Sequence, residues 1–471
     1  MKRYIILIST VLFCMPPLFW SCKESFLDQE VPLVSTEAII YKNKEKTEMA
    51  LLGLYTTMKG STSCNFMAGR TYIAFDNRGD DITNIDPNGV TLYMTYNMRV
   101  QSTEAENADA WYYSYLTINR ANVFMESIDS YKTADVIGAD LAKQYVSEAK
   151  FLRALSYYYL LNLYSQPYIL NKSAKAVPLR LTGIKEGGHS DMACSTNGKI
   201  YEAILNDLTD SDISALPATT TIKNRATKAA ALMLKMRVLM AMGNWAEAIK
   251  AGEAITGYQL VSDVTAMFTP PYDTNESIFS LGMSANDRPN TQRSAWEYYN
   301  TGKLCVIDKT YGVRSLPQYS LGKDKRSVFD NNGRLTKYDA RGGAADGKLI
   351  SIPIFRYAET KLNLAECYAK NNNENAARAA LSDVRRRSVA AADDGLDIAG
   401  LSGSALLTAI TNEKRLEFIG EGMRGIEIIR KGENFNKPIV QVNIGPDSPF
   451  YTWPIPDAER VNNALWNEVL P

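Results

Sequence analysis

The sequence is poor in the residues that most often build reaction centres. Its 471 residues include a single histidine, His189. One imidazole cannot assemble a multi-histidine metal site, so most zinc hydrolase designs are excluded. The six cysteines are scattered, at Cys14, Cys22, Cys64, Cys194, Cys305 and Cys367, with no C-x-x-C pair. That spacing gives neither a disulfide framework nor a redox motif. No G-x-S-x-G nucleophile elbow occurs. Charge of one sign is lacking too, because 52 Lys+Arg balance 52 Asp+Glu. A neutral chain has no electrostatic footprint for nucleic acid, which excludes a dedicated DNA or RNA binder. No cofactor is expected. The chain is nevertheless a folding one: 45% of its residues are hydrophobic and 22% charged. Its length implies two or three domains or one large architecture.

An apolar run opens the chain. Lys2 and Arg3 precede Ile5 to Phe13, and Pro16-Pro17 then interrupts the run. This is the layout of an export signal. It is too short and too proline-broken for a membrane span. Ser21 directly precedes Cys22, and the polar Lys23-Glu24-Ser25 follows. That arrangement looks like a bacterial lipoprotein signal, with residues 1–21 removed and Cys22 acylated. Acyl chains partition at about 0.8 kcal/mol per buried methylene, so several of them anchor a protein stably. The alternative is an ordinary exported cysteine.

Beyond the signal, apolar residues recur at three- and four-residue intervals, the period of amphipathic helices. The pattern predicts helices over Asp109–Tyr131, Leu141–Tyr164 and Thr196–Leu216. Arg225–Tyr258 reads as two helices joined at Gly243-Asn244, rich in alanines that let backbones approach. That is a tetratricopeptide-type hairpin. A second pair is Arg356–Lys370 and Glu374–Ser388, with the turn at Asn371-Asn372-Asn373. Trp111, Trp245 and Cys367 fall on core seams. Three stretches, 60–100, 167–198 and 261–353, read as long non-helical insertions, the usual carriers of binding function.

Three local motifs have bland readings that outweigh sharp ones. Gly420-x-Gly422-x-x-Gly425 matches a dinucleotide fingerprint, but a charged helix over Asn412–Ile419 precedes it instead of a strand. A helix–turn–helix corner fits better, with Glu421 and Arg424 in structural ion pairs. Asn84-x-Asp86-x-Asn88-Gly89 resembles half of a calcium loop, but Thr95 stands where a bidentate Glu is needed. A turn fits better. His189 lies in a Gly-rich loop and reads as a solvated side chain. Asp80 and Asp81 are adjacent, and a glycosidase needs its carboxylates on opposite sides of the bond it cuts.

Five segments then occur in order. Phe26-Leu27-Asp28 is followed by Pro32, and Glu148 leads through Arg153-Ala154 to Tyr164. Arg356-Tyr357-Ala358-Glu359 precedes Ala365-Glu366. Glu413, Arg415, Glu417 and Phe418 precede Glu421-Gly422 and Arg424, and Pro454-Ile455-Pro456 lies near the end. On these segments the chain resembles the SusD/RagB family of outer-membrane nutrient-binding lipoproteins of Bacteroidetes. The resemblance covers essentially the whole chain after residue 21. It implies a mainly α fold: a right-handed stack of tetratricopeptide-like helix pairs with long irregular binding loops and little β. Residues 22–471 would form one such domain, with an N-terminal part over 22–220, a C-terminal part over 225–471 and the loop-rich insertion 261–353 within it. It also implies a non-enzymatic role at the cell exterior. The protein would be lipid-anchored, capturing an oligosaccharide, or in some members a peptide, for a SusC-like TonB-dependent outer-membrane transporter.

Sugars offer apolar C–H faces rimmed by hydroxyls, so a site needs flat rings for the faces and Asp, Asn or Arg for the rim. Two loop regions supply both. One holds Asp76, Arg78, Asp80 and Asp81, then Tyr93, Tyr96 and Asn97. The other holds Trp296, Tyr298 and Tyr299, then Tyr311. Arg78 and Asp80 have a competing use as partners of each other, and the rings as fillers of loop cores. Two other functional classes compete: a surface glycan-degrading enzyme, and a helical-repeat scaffold that binds protein. Release of new reducing ends marks the first, and a tight protein partner without a small ligand marks the second.

Overall fold

The computed structural model describes residues 37–63, 65–188, 190–300, 304–308, 310–316, 319, 323–340, 347–393 and 396–465. The export signal, Cys22, the 26–32 segment, Cys64 and His189 lie outside the described residues. Among those described there are sixteen α-helices and five two-stranded ladders. This is the mainly helical class the sequence implies.

The long Ala105–Ser130 and Ala139–Tyr164 helices pack against each other. Lys44–Lys59 covers the pair on one side and Asn197–Asp207 packs on the other. The last half of Ala139–Tyr164 is buried all round, from Phe151 to Tyr164. A helix buried on every face belongs at the centre of a fold, and this one does. The stack continues with Lys228–Ala241 and Trp245–Glu253, then Tyr357–Lys370 and Glu374–Ser388, then Gly403–Phe418. Small residues set the spacing. Ala230, Ala248 and Ala251 are buried, and a Cβ on Gly252 would sit 2.8 Å from a Leu364 methyl. Gly243 turns the first of these pairs at a φ of +76°, and Asn373 caps Glu374–Ser388 by accepting from Ala376 N.

Two expectations need correction. The stretch 196–216 is two helices, Asn197–Asp207 and Asp210–Ala215. Thr209 restarts the chain by accepting a hydrogen bond from Asp212 N, a local cap that overrides the continuous apolar period. The stretch 60–100 is not an open loop. It contains the Arg70–Arg78 helix, all nine residues of which are buried. The insertion over 261–353 is tied at its base, where Ser277–Leu281 pairs antiparallel with Ile352–Arg356.

The interior is unusually rich in charge. Glu417 bridges Arg326, Arg356 and Arg387. Glu421 holds Lys337 and Arg356, and Glu276 holds Arg356 and Arg387. Glu413 holds Arg326 and Arg385, and Asp324 holds Arg326. All these side chains are buried, five carboxylates against five cations among the described residues. Elsewhere Arg237 pairs with Glu359, Arg153 with Asp207, and Glu148 with Arg225. Lys414 and Arg430 share Glu366 and Glu427. Arg153, Arg356, Glu359, Glu366, Glu413, Glu417 and Glu421 of the 148–153, 356–366 and 413–424 segments are therefore members of buried ion pairs. Burying a charge is costly unless it is paired, so each partner constrains the other.

Candidate functional site

The two loop regions expected to hold ligand are far apart in sequence and meet in space. Ile82–Asn84 pairs antiparallel with Cys305–Ile307, Ile82 opposite Ile307 and Asn84 opposite Cys305. Just past the ladder, Asp308 accepts from Thr83 Oγ1 at 2.8 Å and from the backbone N–H groups of Thr310 at 2.8 Å and Tyr311 at 2.6 Å. The Tyr311 ring is thus held by its backbone while 42% of its surface stays exposed. The Tyr93–Tyr96 helix packs on the same ladder. It presents Tyr93 and Asn97, both partly buried, with Asn97 Nδ2 donating to Tyr93 O at 2.8 Å. Ile85 and Val90 are exposed on the intervening turn. That turn is the half-calcium motif, closed by its own side chains: Asn84 Oδ1 accepts from Asp86 N and Asn88 Oδ1 from Val90 N.

Most of the other candidates face inward, which corrects the sequence reading. Asp76, Arg78, Asp81, Tyr96, Tyr298 and Tyr299 are buried. Asp76 Oδ2 accepts from Tyr299 Oη at 2.9 Å and from Gly422 N at 2.8 Å. Burial pushes its carboxyl up to about 7. Arg78 does not meet Asp80. It donates to Asn162 O at 2.8 Å and Tyr451 O at 2.5 Å, and lies over the Phe435 ring. Asp80 is partly buried and gripped by Arg424, Nε to Oδ1 at 2.5 Å and Nη2 to Oδ2 at 3.0 Å. Burial alone would raise the Asp80 carboxyl; Arg424 and Arg415 outweigh it and hold it at about 2. Asp81 is held by Arg415 at 2.6 Å. Lys437 lies 4.2 Å from the Tyr96 ring centre and donates to Gly79 O at 2.6 Å and to Asn77 O, at the C-terminal end of the Arg70–Arg78 helix. Trp296 is partly buried against Gly347, where any Cβ would collide with its indole. Except for Asn97, the polar residues that read as a sugar-binding rim are spent inside the fold, Asp80 and Asp81 on Arg424 and Arg415, Arg78 on backbone carbonyls and Asp76 on Tyr299 and Gly422.

The corner at 420–425 behaves as expected. Gly420 and Gly422 take φ of +77° and +69° between two helices. A Cβ on Gly425 would lie 2.3 Å from Phe75 O, so only glycine lets Arg424–Lys431 approach Arg70–Arg78. Glu421 and Arg424 are ion-paired. Trp111 and Cys367 are core residues, but Trp245 is only partly buried. It lines a cleft of about 450 Å³ with Met240, Ile169, Lys370 and Asn412. Besides Ile85 and Val90, the surface near the ladder carries rings and an amide, groups that bind by stacking and hydrogen bonding.

Comparison with known proteins places this geometry. The family model described as "SusD family" matches residues 293–467, and one described as "Starch-binding associating with outer membrane" matches residues 25–240. A crystal structure of a SusD superfamily protein from Bacteroides fragilis is 49% identical, covers 91% of this chain and 100% of its own, and superposes with a TM-score of 0.86. The chain belongs to the SusD family. A SusD-like protein of Formosa agariphila is 23% identical over 88% of this chain and 87% of its own length. The surface glycan-binding protein A from Bacteroides fluxus shares the SusD fold at 20% identity, covering 91% of this chain and 98% of its own, with a TM-score of 0.72. Among the described residues of this SusD-family protein, no helix is long and apolar enough to cross a membrane.

Proposed function

We propose that this SusD-family protein binds a glycan at the outer surface of the cell and delivers it to a SusC-like TonB-dependent transporter. Cys22 carries the acyl anchor. Tyr311, Tyr93 and Asn97 supply the surface on which a sugar face stacks and its hydroxyls bond. The observation that carries the reading is this one: an exposed ring and an amide stand on a ladder joining two distant loops, in a chain whose family is described as starch-binding and associated with the outer membrane. A rigid ladder lowers the entropy lost when a ligand orders the surface.

The protein does not cleave what it binds. Of the carboxylates beside the face, Asp80 and Asp81 are committed to arginines, and Asp308 to the Thr83 hydroxyl and the backbone of Thr310 and Tyr311. The test of delivery is affinity capture of the tagged protein from outer membranes. A TonB-dependent barrel is expected to co-purify, and radiolabelled palmitate to be incorporated in wild type but not in Cys22→Ser. Capture of no barrel, or new reducing ends from glycans incubated with the pure protein, overturns the reading.

A further inference from the structure

The Tyr93–Tyr96 helix has a second side. Beside it lies a cleft of about 210 Å³ whose lining includes Thr95, Gln101, Phe450, Trp453 and Arg460. No acidic side chain lines it. Trp453 is buried beneath it, and Phe450 is 39% exposed at its rim. The Arg99 guanidinium lies over the Phe450 ring at 4.0 Å, which fixes a cation at the mouth. Arg460 is exposed at the other edge. Neither arginine has a carboxylate partner among the described residues, whereas Arg314, beside Tyr311, is engaged by Asp330, and Arg415 and Arg424 by Asp81 and Asp80. Thr95 is completely buried at the cleft wall, and its Oγ1 has no hydrogen-bond partner. A buried hydroxyl left unpaired is costly, so it gains from any acceptor that enters.

We propose that this cleft is an anionic subsite, which takes a carboxylate- or sulfate-bearing sugar residue of the bound glycan. The inference rests on the glycan-binding reading above and names the chemical class of its ligand. Drug-sized pockets run from about 300 to 1,000 Å³, so this smaller cleft holds one ring and its substituent and leaves the rest of the chain to the tyrosine face. Arg460 and Arg99 supply two unneutralised donors sets at the edges, Thr95 Oγ1 and Gln101 add neutral hydrogen bonds, and Phe450 stacks on the ring. A neutral sugar would leave both cations without a counter-charge.

The test is titration of the mature protein with matched pairs: oligogalacturonate against galacto-oligosaccharide, and chondroitin sulfate oligosaccharides against their desulfated forms. The anionic member of at least one pair is expected to bind about tenfold tighter, the size of one charged hydrogen bond. That advantage should shrink as salt rises. Arg460→Gln is expected to remove most of it while leaving affinity for the neutral partner and the melting temperature unchanged. Thr95→Val is the second variant, and it is expected to weaken the anionic ligand without altering the salt dependence. Equal binding of both members of every pair, or an anionic preference that survives in Arg460→Gln and Arg99→Gln alike, overturns the subsite while the glycan-binding reading stands. Binding of no glycan overturns both.

Discussion

Removing the Glu417 carboxylate is the sharpest test of what holds this fold together. Its Oε1 meets Arg356 at 2.5 Å, and its Oε2 meets Arg387 at 2.5 Å and Arg326 at 3.1 Å. Burial pushes this carboxyl up, but the guanidiniums of Arg387, Arg356 and Arg326 outweigh it and hold it well below the usual carboxylate range. In Glu417→Ala the interior keeps five cations against four carboxylates, so one positive charge is buried without compensation. Breaking a buried pair by removing one partner costs about 3–5 kcal/mol. Native stability is typically about 5–15 kcal/mol, so about a fifth or more is expected to go. In urea, with a slope near 3 kcal/mol per molar, the midpoint should fall by roughly 1 M or more. Lys250→Ala, which breaks an exposed pair with Glu247, should leave the midpoint in place. A midpoint for Glu417→Ala within error of Lys250→Ala would refute the reasoning. The pH dependence has a definite sign. A depressed carboxyl stabilises the fold above its unfolded value, near pH 4, and that stability is lost as pH falls toward its folded value.

Three further outcomes follow from the geometry. Asp76 has the opposite sign: burial raises its carboxyl to about 7, so wild-type stability should fall as pH rises from 4 to 7, by at most about 1.4 kcal/mol per unit for one proton. Asp76→Asn can keep both bonds, because Tyr299 and Gly422 converge on the same oxygen, and denaturation from pH 5 to 8 should show its slope flattened. Gly425→Ala forces a methyl against Phe75 O and is expected to destabilise by about 1–3 kcal/mol, read as a lower melting temperature. Tyr311→Ala, at an exposed ring, should leave the melting temperature unchanged and lower glycan affinity several-fold in titration calorimetry.

The fold was legible wherever local chemistry and tertiary packing agree. The Asn371–Asn373 turn marks the joint between Tyr357–Lys370 and Glu374–Ser388 almost to the residue, because asparagine both turns the chain and caps the next helix. The family was legible because charged residues of its motifs occupy buried ion pairs, which tolerate little exchange of charge or shape. The site was less legible for the same reason. Arg70–Arg78 is only nine residues long and ends in Asp76-Asn77-Arg78, all buried, so its Asp and Arg read as loop polars. Whether Asp80 greets a sugar or a guanidinium depends on Arg424, which arrives from the other end of the chain. Arg99, Phe450 and Arg460 carry no sequence signal at all. They matter only because two distant segments close around one cleft.

The central claim is capture of a glycan on the face built by Tyr311, Tyr93 and Asn97. Titration calorimetry of the mature protein against neutral and anionic oligosaccharides and peptides tests it most directly, with Tyr311→Ala and Tyr93→Ala run beside the wild type. The account predicts saturable binding of at least one glycan, no new reducing ends, and several-fold weaker binding in both variants at unchanged melting temperature. Binding of peptides alone, binding of no glycan, or full glycan affinity in both variants would contradict it.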